Sequence, residues 1–212
     1  MNPKELFYDT QAKTIIEHLK RRQMEGYYCA TASDAVALAN TLIPDHATVS
    51  FGGSMTLSEC GMLSSLRANP GITLLDRNTA GSTDEVAKIF RQSFDSDCYF
   101  MSTNAITMDG QLVNIDGTGN RVAALIYGPK QVIILAGMNK IVPTVDDAIH
   151  RVHASATPQN CIRLNRKTPC AVTGVCSDCI SPECICNQVV ITRRSGTPLR
   201  IKVILIGESF GF

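Results

Sequence analysis

Residues Met101–Lys140 read MSTNAITMDGQLVNIDGTGNRVAALIYGPKQVIILAGMNK. Two apolar-alternating runs, Ala105–Met108 and Gln111–Ile115, flank Asp109-Gly110, a dipeptide suited to the positive φ of a tight hairpin turn. Gly117-Thr118-Gly119-Asn120 then opens a short helix over 119–127, which Gly128 can close. Gln131–Ala136 is almost unbroken apolar sequence, the pattern of a strand covered on both faces. Asn139-Lys140 follows it, placing an amide and a cation at the carboxyl end of a buried strand. Hairpin, helix and buried strand in this order predict an α/β chain.

Outward from that stretch the alternation continues. Residues 3–24 carry an apolar helical stripe of Leu6, Phe7, Ile15, Ile16 and Leu19. Tyr27–Thr31 reads as a strand, and Ser33 as the cap of a helix through Leu42. Ala47–Phe51 is the next strand, followed at once by Gly52-Gly53-Ser54. A helix over Met55–Ala68 has Thr56 and Glu59 at capping-box spacing. Ile72–Asp76, a Ser82-capped helix reaching Phe94, and the strand Cys98–Met101 lead into the quoted stretch. A Thr144-capped helix through His153 follows it, and Val189–Arg194 and Leu199–Ile206 read as closing strands joined across Ser195-Gly196. The prediction is a mainly parallel open sheet with helices on both faces. It forms a single domain over residues 1–212, with 160–188 as a cysteine-rich insert or flap.

Bulk properties narrow the function classes. With 44% hydrophobic residues in 212, the chain can bury a substantial core. A net charge of +1 gives no global field toward nucleic acid or a membrane surface. No apolar run approaches the roughly 18 residues of a bilayer span, and the amino-terminal charges leave no signal-peptide core. A cytoplasmic protein with no nucleic-acid or membrane partner is expected, and a homo-oligomer is compatible with the sequence.

Ligands of open α/β sheets bind beyond the carboxyl ends of the strands. The polar punctuation lies there: Gly52, Gly53 and Ser54 after one strand, Asn104 after another, Gly119 and Asn120 at a helix start, and Lys140 after the buried strand. Loop amides and one cation suit a small anionic metabolite. Glu59, near the first glycine loop, is the candidate general base, with a capping role as its alternative. Asp109 reads as a turn former, and Asp116 directly precedes the second loop.

Nine cysteines include six between Cys161 and Cys186. Thiols this dense in a reducing compartment point to a metal or cluster rather than disulfides. Cys170, Cys176, Cys179 and Cys186 (or Cys184) form the candidate ligand set for zinc or an iron–sulfur cluster. The spacing matches neither a ferredoxin run nor a zinc finger, and a loop of reduced thiols is the alternative.

Four blocks, FGGSMTLSECGM, STNAITMDGQLVNIDGTGNR, VIILAGMNKIVP and PCAVTGVCSDCISPECICN, together resemble the LUD-domain proteins, also called lactate utilization proteins or the DUF162 family. The resemblance spans nearly the whole chain. It implies a fold similar to the NagB, ribose-phosphate isomerase and CoA-transferase superfamily, with the glycines, amides and Lys140 named above lining its pocket. It also implies a part in oxidising L-lactate to pyruvate alongside iron–sulfur partner subunits. The compact cysteine set differs from the extended ferredoxin-like region of the larger iron–sulfur member, so a stand-alone subgroup with another reaction is also compatible. The expected ligand is a 2-hydroxy acid, a 2-oxo acid or a sugar phosphate. The alternatives are a redox or electron-transfer module built on the cysteines, and a ligand-sensing regulator without turnover.

Overall fold

The structure is a computed structural model that describes residues 2–212. Its centre is a six-stranded sheet of β1 (Glu25–Cys29), β2 (Thr48–Phe51), β3 (Thr73–Leu75), β4 (Cys98–Met101), β7 (Gln131–Gly137) and β10 (Ile201–Ile206). Their order is β1-β10-β7-β4-β2-β3, and every pairing is parallel. Strand β7 shows why its sequence is apolar throughout. Val132, Ile134 and Ala136 pack toward Ala12, Ile15 and Leu19 of α1 (Pro3–Arg21) and Leu125 of α6 (Asn120–Ile126). Ile133 and Leu135 point the other way, toward Ala35 and Ala39 of α2 (Ala32–Thr41), Leu57 of α3 (Met55–Glu59), and Met62 and Leu66 of α4 (Met62–Ala68). Period-2 alternation thus feeds two cores, one on each face. Burying each of these Ile and Leu side chains contributes about 1.5–3 kcal/mol.

A second sheet stands beside the first. It joins β8 (Ile141–Val142), β5 (Ala105–Thr107), β6 (Leu112–Asp116) and β9 (Gln188–Thr192) in the order β8-β5-β6-β9. Strands β5 and β6 are antiparallel with Ala105 opposite Val113, and the turn between them is the Asp109-Gly110 hairpin. Gly110 has φ 84° and donates its amide to Thr107 O at 2.8 Å. Helix α1 anchors this turn: Arg22 donates Nε to Asp109 O at 2.6 Å and Nη2 to the Asp109 carboxylate at 2.5 Å. The basic end of α1 therefore fastens one sheet to the other.

The chain passes between the sheets at functional places. Strand β4 leaves the first sheet through Ser102–Asn104 to become β5, and β7 leaves it through the 3₁₀ turn Met138–Lys140 to become β8. From β2 the chain moves outward to β3, then returns to β4 on the other side of β2. That reversal makes the gap between the carboxyl ends of β2 and β4 the expected binding crevice of the sheet.

Several local expectations are corrected. The Met55–Ala68 helix is broken at Gly61, whose φ of 86° separates α3 from α4. Ser54, not Thr56, caps α3 by accepting from Leu57 N at 3.2 Å. Helix α2 is capped by Thr31 rather than Ser33. Strands β9 and β10 do not pair with one another, because the segment between them is held to the end of α1 by Ser195 N to Arg22 O and Leu199 N to Gln23 O, both 2.9 Å. Residues 145–163 form one run in which α7 (Val145–Arg151) passes through a π turn at Val152–Ala156 into α8 (Thr157–Arg163). A short helix α9 (Pro169–Thr173) follows. Among the described residues no helix is long and apolar enough to cross a membrane.

Candidate functional site

A cleft of about 330 Å³ opens at the carboxyl ends of β2, β4 and β7, between the two sheets. Gly53, Ser54 and Thr56 border it after β2, Ser102, Thr103 and Asn104 after β4, and Lys140 after β7. Asp116, Gly117, Thr118, Asn120 and Arg121 contribute from the β6–α6 loop, Thr157, Asn160 and Arg163 from α8, and Gly211 and Phe212 from the segment beyond β10. Among the described residues, five lining side chains are basic (Arg77, Arg121, Lys140, Arg163 and Arg166), and Asp116 is the single carboxylate side chain.

Arg121 holds the site together. Its Nε donates to Asp116 Oδ2 at 3.0 Å, Nη1 to Ser102 O at 3.2 Å and Asn114 Oδ1 at 2.5 Å, and Nη2 to Asn104 Oδ1 at 3.0 Å and Ile115 O at 3.1 Å. These bonds match the five N–H donors of a guanidinium, so Arg121 is bound to the protein and its charge is offset by Asp116. Asp116 also accepts from Gly119 N at 2.8 Å, which closes the left-handed turn (φ 88°) before α6. Asn104 Oδ1 accepts from Ile115 N at 3.1 Å as well, so this amide is a joint between β5 and β6 as much as a cleft wall.

The remaining cations are less committed. Arg77 lies half-buried over the Phe90 ring at 5.7 Å. Arg163 and Arg166 are exposed at the rim, Arg163 resting on Asn160 Oδ1 at 2.7 Å. Lys140 is only 4% exposed and donates to Ser102 Oγ at 3.1 Å and Thr103 O at 3.2 Å. Among the described residues none of these four takes part in an ion pair. Burial, reinforced by the Arg151 and Arg121 guanidiniums and opposed by Glu59, pushes the Lys140 ammonium down to about 7.

A family model for the LUD domain matches residues 12–206. The chain belongs to the LUD domain family. This LUD domain is similar in fold to a DUF162 family protein from Deinococcus radiodurans, with 13% identity, a TM-score of 0.54, and coverage of 94% of this chain and 98% of that one. Partial matches to eIF2B delta from Chaetomium thermophilum (22% identity, TM-score 0.34, 52% of this chain and 48% of that one) and to ribose 5-phosphate isomerase from Plasmodium falciparum (13%, 0.33, 53% and 52%) are too distant to support an argument. No curated protein matches the sequence.

Within the LUD domain, five of the residues singled out from sequence meet at the cleft: Gly53, Ser54, Asn104, Asn120 and Lys140. Gly52 and Gly119 stand behind the wall. The Gly52 amide donates to Phe100 O at 2.9 Å within the sheet, and a Cβ there would come within 3.0 Å of Arg121 Cγ and the Tyr99 hydroxyl. Its value is the close approach of side chains rather than an amide offered to a ligand. Glu59 lies at the end of α3, outside the lining, with its carboxylate accepting from Gly211 N at 2.6 Å. It tethers the segment after β10 together with Thr56, whose hydroxyl donates to Phe210 O at 3.1 Å. Arg77, Arg121, Arg163 and Arg166 went unnoticed in the sequence; Arg121, directly after Gly119-Asn120, carried the only local signal.

The cysteines of this LUD domain lie partly in its core and partly at its surface. Cys170 is buried on α9, its thiol 3.3 Å from the Thr168 hydroxyl, and Cys186 donates to Thr157 Oγ1 at 3.4 Å. Burial raises the Cys161 thiol, with Cys170 adding to the effect against Thr168. Burial likewise pushes Cys186 up to about 11, Thr157 opposing and Cys184 adding. Cys176 and Cys179 are half-exposed beyond α9. Among the described residues no three His, Cys, Asp or Glu side chains are gathered as a metal site, so Cys170, Cys176, Cys179 and Cys186 are not brought around one point.

Proposed function

We propose that this LUD domain binds a small metabolite bearing one or more acidic groups, a 2-hydroxy acid, a 2-oxo acid or a sugar phosphate, in the cleft between its sheets. The observation that carries the reading is the charge balance. Four guanidiniums and one carboxylate side chain face a cleft of about 330 Å³ among the described residues, and the carboxylate is already paired with Arg121, which leaves three guanidiniums in excess. Arg77, Arg163 and Arg166 supply charge near the opening, while Ser54, Ser102, Thr157 and Asn120 offer neutral hydrogen-bonding groups. Cleft volumes of roughly 300 Å³ suit ligands of this size. Lactate and pyruvate are both small carboxylates, so a part in oxidising L-lactate to pyruvate alongside iron–sulfur partner subunits is compatible with such a site.

Isothermal titration with lactate, pyruvate and ribose 5-phosphate tests the proposal. At least one should bind, and the Arg163→Ala/Arg166→Ala double variant should bind it about tenfold or more weakly, since a hydrogen bond to a charged group is worth about 1.5–3 kcal/mol and about 1.4 kcal/mol is tenfold. Absence of binding for all three, or undiminished affinity in the double variant, refutes it.

A further inference from the structure

Of the eight lysines in the chain, Lys140 alone is buried. A buried ammonium without a counter-ion is costly, and proteins usually pair it or let it lose its proton. Two acceptors, the Ser102 hydroxyl and the Thr103 carbonyl, meet Nζ at 3.1 and 3.2 Å, and neither carries charge.

The charged groups around it make pairing harder. Arg151, from α7, is fixed by Nε to Asn139 O at 3.1 Å and Nη1 to Asn104 O at 2.8 Å. Arg121, from α6, is fixed by Asp116 and four further acceptors. Glu59, from α3, is the one opposing carboxylate in the field of Lys140, and it is engaged by Gly211 N. Two hydrogen-bonded guanidiniums and burial together favour the uncharged amine, and Lys140 is one of the residues that line the cleft.

We propose that Lys140 is a nucleophilic catalytic residue that captures the carbonyl carbon of an anionic ligand as an imine. This rests on the reading of the cleft as an anion site. The Nζ lone pair forms a C–N bond while the carbonyl π pair moves to oxygen. The Ser102 hydroxyl, 3.1 Å from Nζ, is placed to pass the nitrogen proton toward that oxygen. The resulting carbinolamine loses water to give C=N, so amine and carbonyl become imine and water with no change of oxidation state. The arginines at the opening take the acidic group. The chemistry fits two ligand sources, a 2-oxo acid or a phosphorylated sugar in its open-chain form.

Reductive trapping tests the step. The full chain is incubated with sodium cyanoborohydride and pyruvate, ribose 5-phosphate or, as a partner without a carbonyl, lactate, and the lysines are then mapped by peptide mass spectrometry. The expected result is a saturable adduct on Lys140 with at least one carbonyl compound and none with lactate. The arm that labels identifies the ligand source. Adducts spread over the exposed lysines, or none on Lys140, overturn the proposal. Trace acetylation without ligand, followed across pH, gives an independent readout in the wild-type chain: Lys140 should react with a midpoint near neutrality, and a midpoint above about 9, nearer the ordinary lysine value, overturns the proposal. Calorimetric binding of pyruvate or ribose 5-phosphate without an adduct removes the imine step and leaves the anion site standing, whereas absence of any binding removes the anion site itself. Lys140→Arg, which keeps a cation, should lose the adduct. Should that variant fail to fold, the wild-type mapping decides.

Discussion

A Cβ on Gly53 would stand 2.5 Å from a guanidinium nitrogen of Arg77. The glycine after β2 and the arginine after β3 therefore share one space at the wall of the cleft. Because the obstructing atom is the far end of a flexible side chain, Gly53→Ala should fold with a melting temperature within a few degrees of wild type while moving Arg77. Anion affinity should fall several-fold in calorimetry. A variant with unchanged affinity would mean that Arg77 does not contribute to binding.

Lys140 gives the stability of the fold a distinctive pH dependence. Its pKa is near 7 when folded, against 10.5 for a free lysine. Below 7 both states hold the proton and the folded state carries the full penalty of a buried ammonium. Between 7 and 10.5 the unfolded chain binds more protons, so stability rises with pH and the penalty fades. Lys140→Met should therefore be more stable than wild type at pH 6, with the difference narrowing by pH 9. Parallel urea melts of the two proteins measure this, and a gap that is constant across pH would contradict it.

Thiol reactivity should follow exposure and acidity together. Cys176 and Cys179 are half-exposed and should be alkylated first. Cys186, pushed up to about 11, should lag although it is also half-exposed, and Cys29, Cys60, Cys98, Cys161 and Cys170 are buried and should react only on unfolding. Time-resolved iodoacetamide labelling with mass spectrometry gives the order. Protection of Cys176 and Cys179 that a chelator abolishes would show instead that this segment rearranges around a metal.

Leu135 occupies the middle of β7, fully buried between α2 and α3 on one face of the sheet. Leu135→Ala should cost about 2–5 kcal/mol by loss of burial and creation of a cavity. Denaturant midpoints against wild type provide the measurement, and a loss below about 1 kcal/mol would show that the core collapses around the truncation.

Glu59 should act on the cleft through the segment it tethers. Glu59→Ala removes the acceptor for Gly211 N, so hydrogen exchange at residues 210–212 should quicken by tenfold or more while the strands stay protected. Exchange unchanged at Gly211 would indicate that Thr56 and Asn139, which also hold this segment, suffice without it.

Much of the frame was legible because it rests on local pattern. The apolar run of β7, the Asp109-Gly110 hairpin and the glycines after β2 announce themselves in a few consecutive residues. What stayed hidden depends on distant pairings. The hairpin strands open into a four-stranded sheet only because β9, more than 70 residues later, pairs with β6. Gly52 reads as a loop amide offered to a ligand, whereas it makes room for Arg121, which is fixed by acceptors from two separate segments, 102–104 and 114–116. Arg163 and Arg166 carry no local signal, being charged residues beside a cysteine-rich stretch, whereas the π turn joins α8 to α7 and carries Arg163 to the cleft rim. Asn104 and Asn120 were recognisable as strand-end polar groups. That Asn104 serves the framework through Ile115 and Arg121 needed coordinates.

The position of β10 has a consequence for how the chain is made. Among the described residues it is the last strand, yet it lies between β1 and β7, and β1 pairs with no other strand. During synthesis the first strand waits, unpaired, until residue 206 has left the ribosome, and the intervening β2–β4–β7 layer must hold an open edge for the arriving strand. Such non-local closure slows folding and leaves apolar strand edges exposed meanwhile. Nascent chains of this protein stalled before residue 200 should accordingly be prey to proteases along Glu25–Cys29, and should become resistant there only once the last strand slots in.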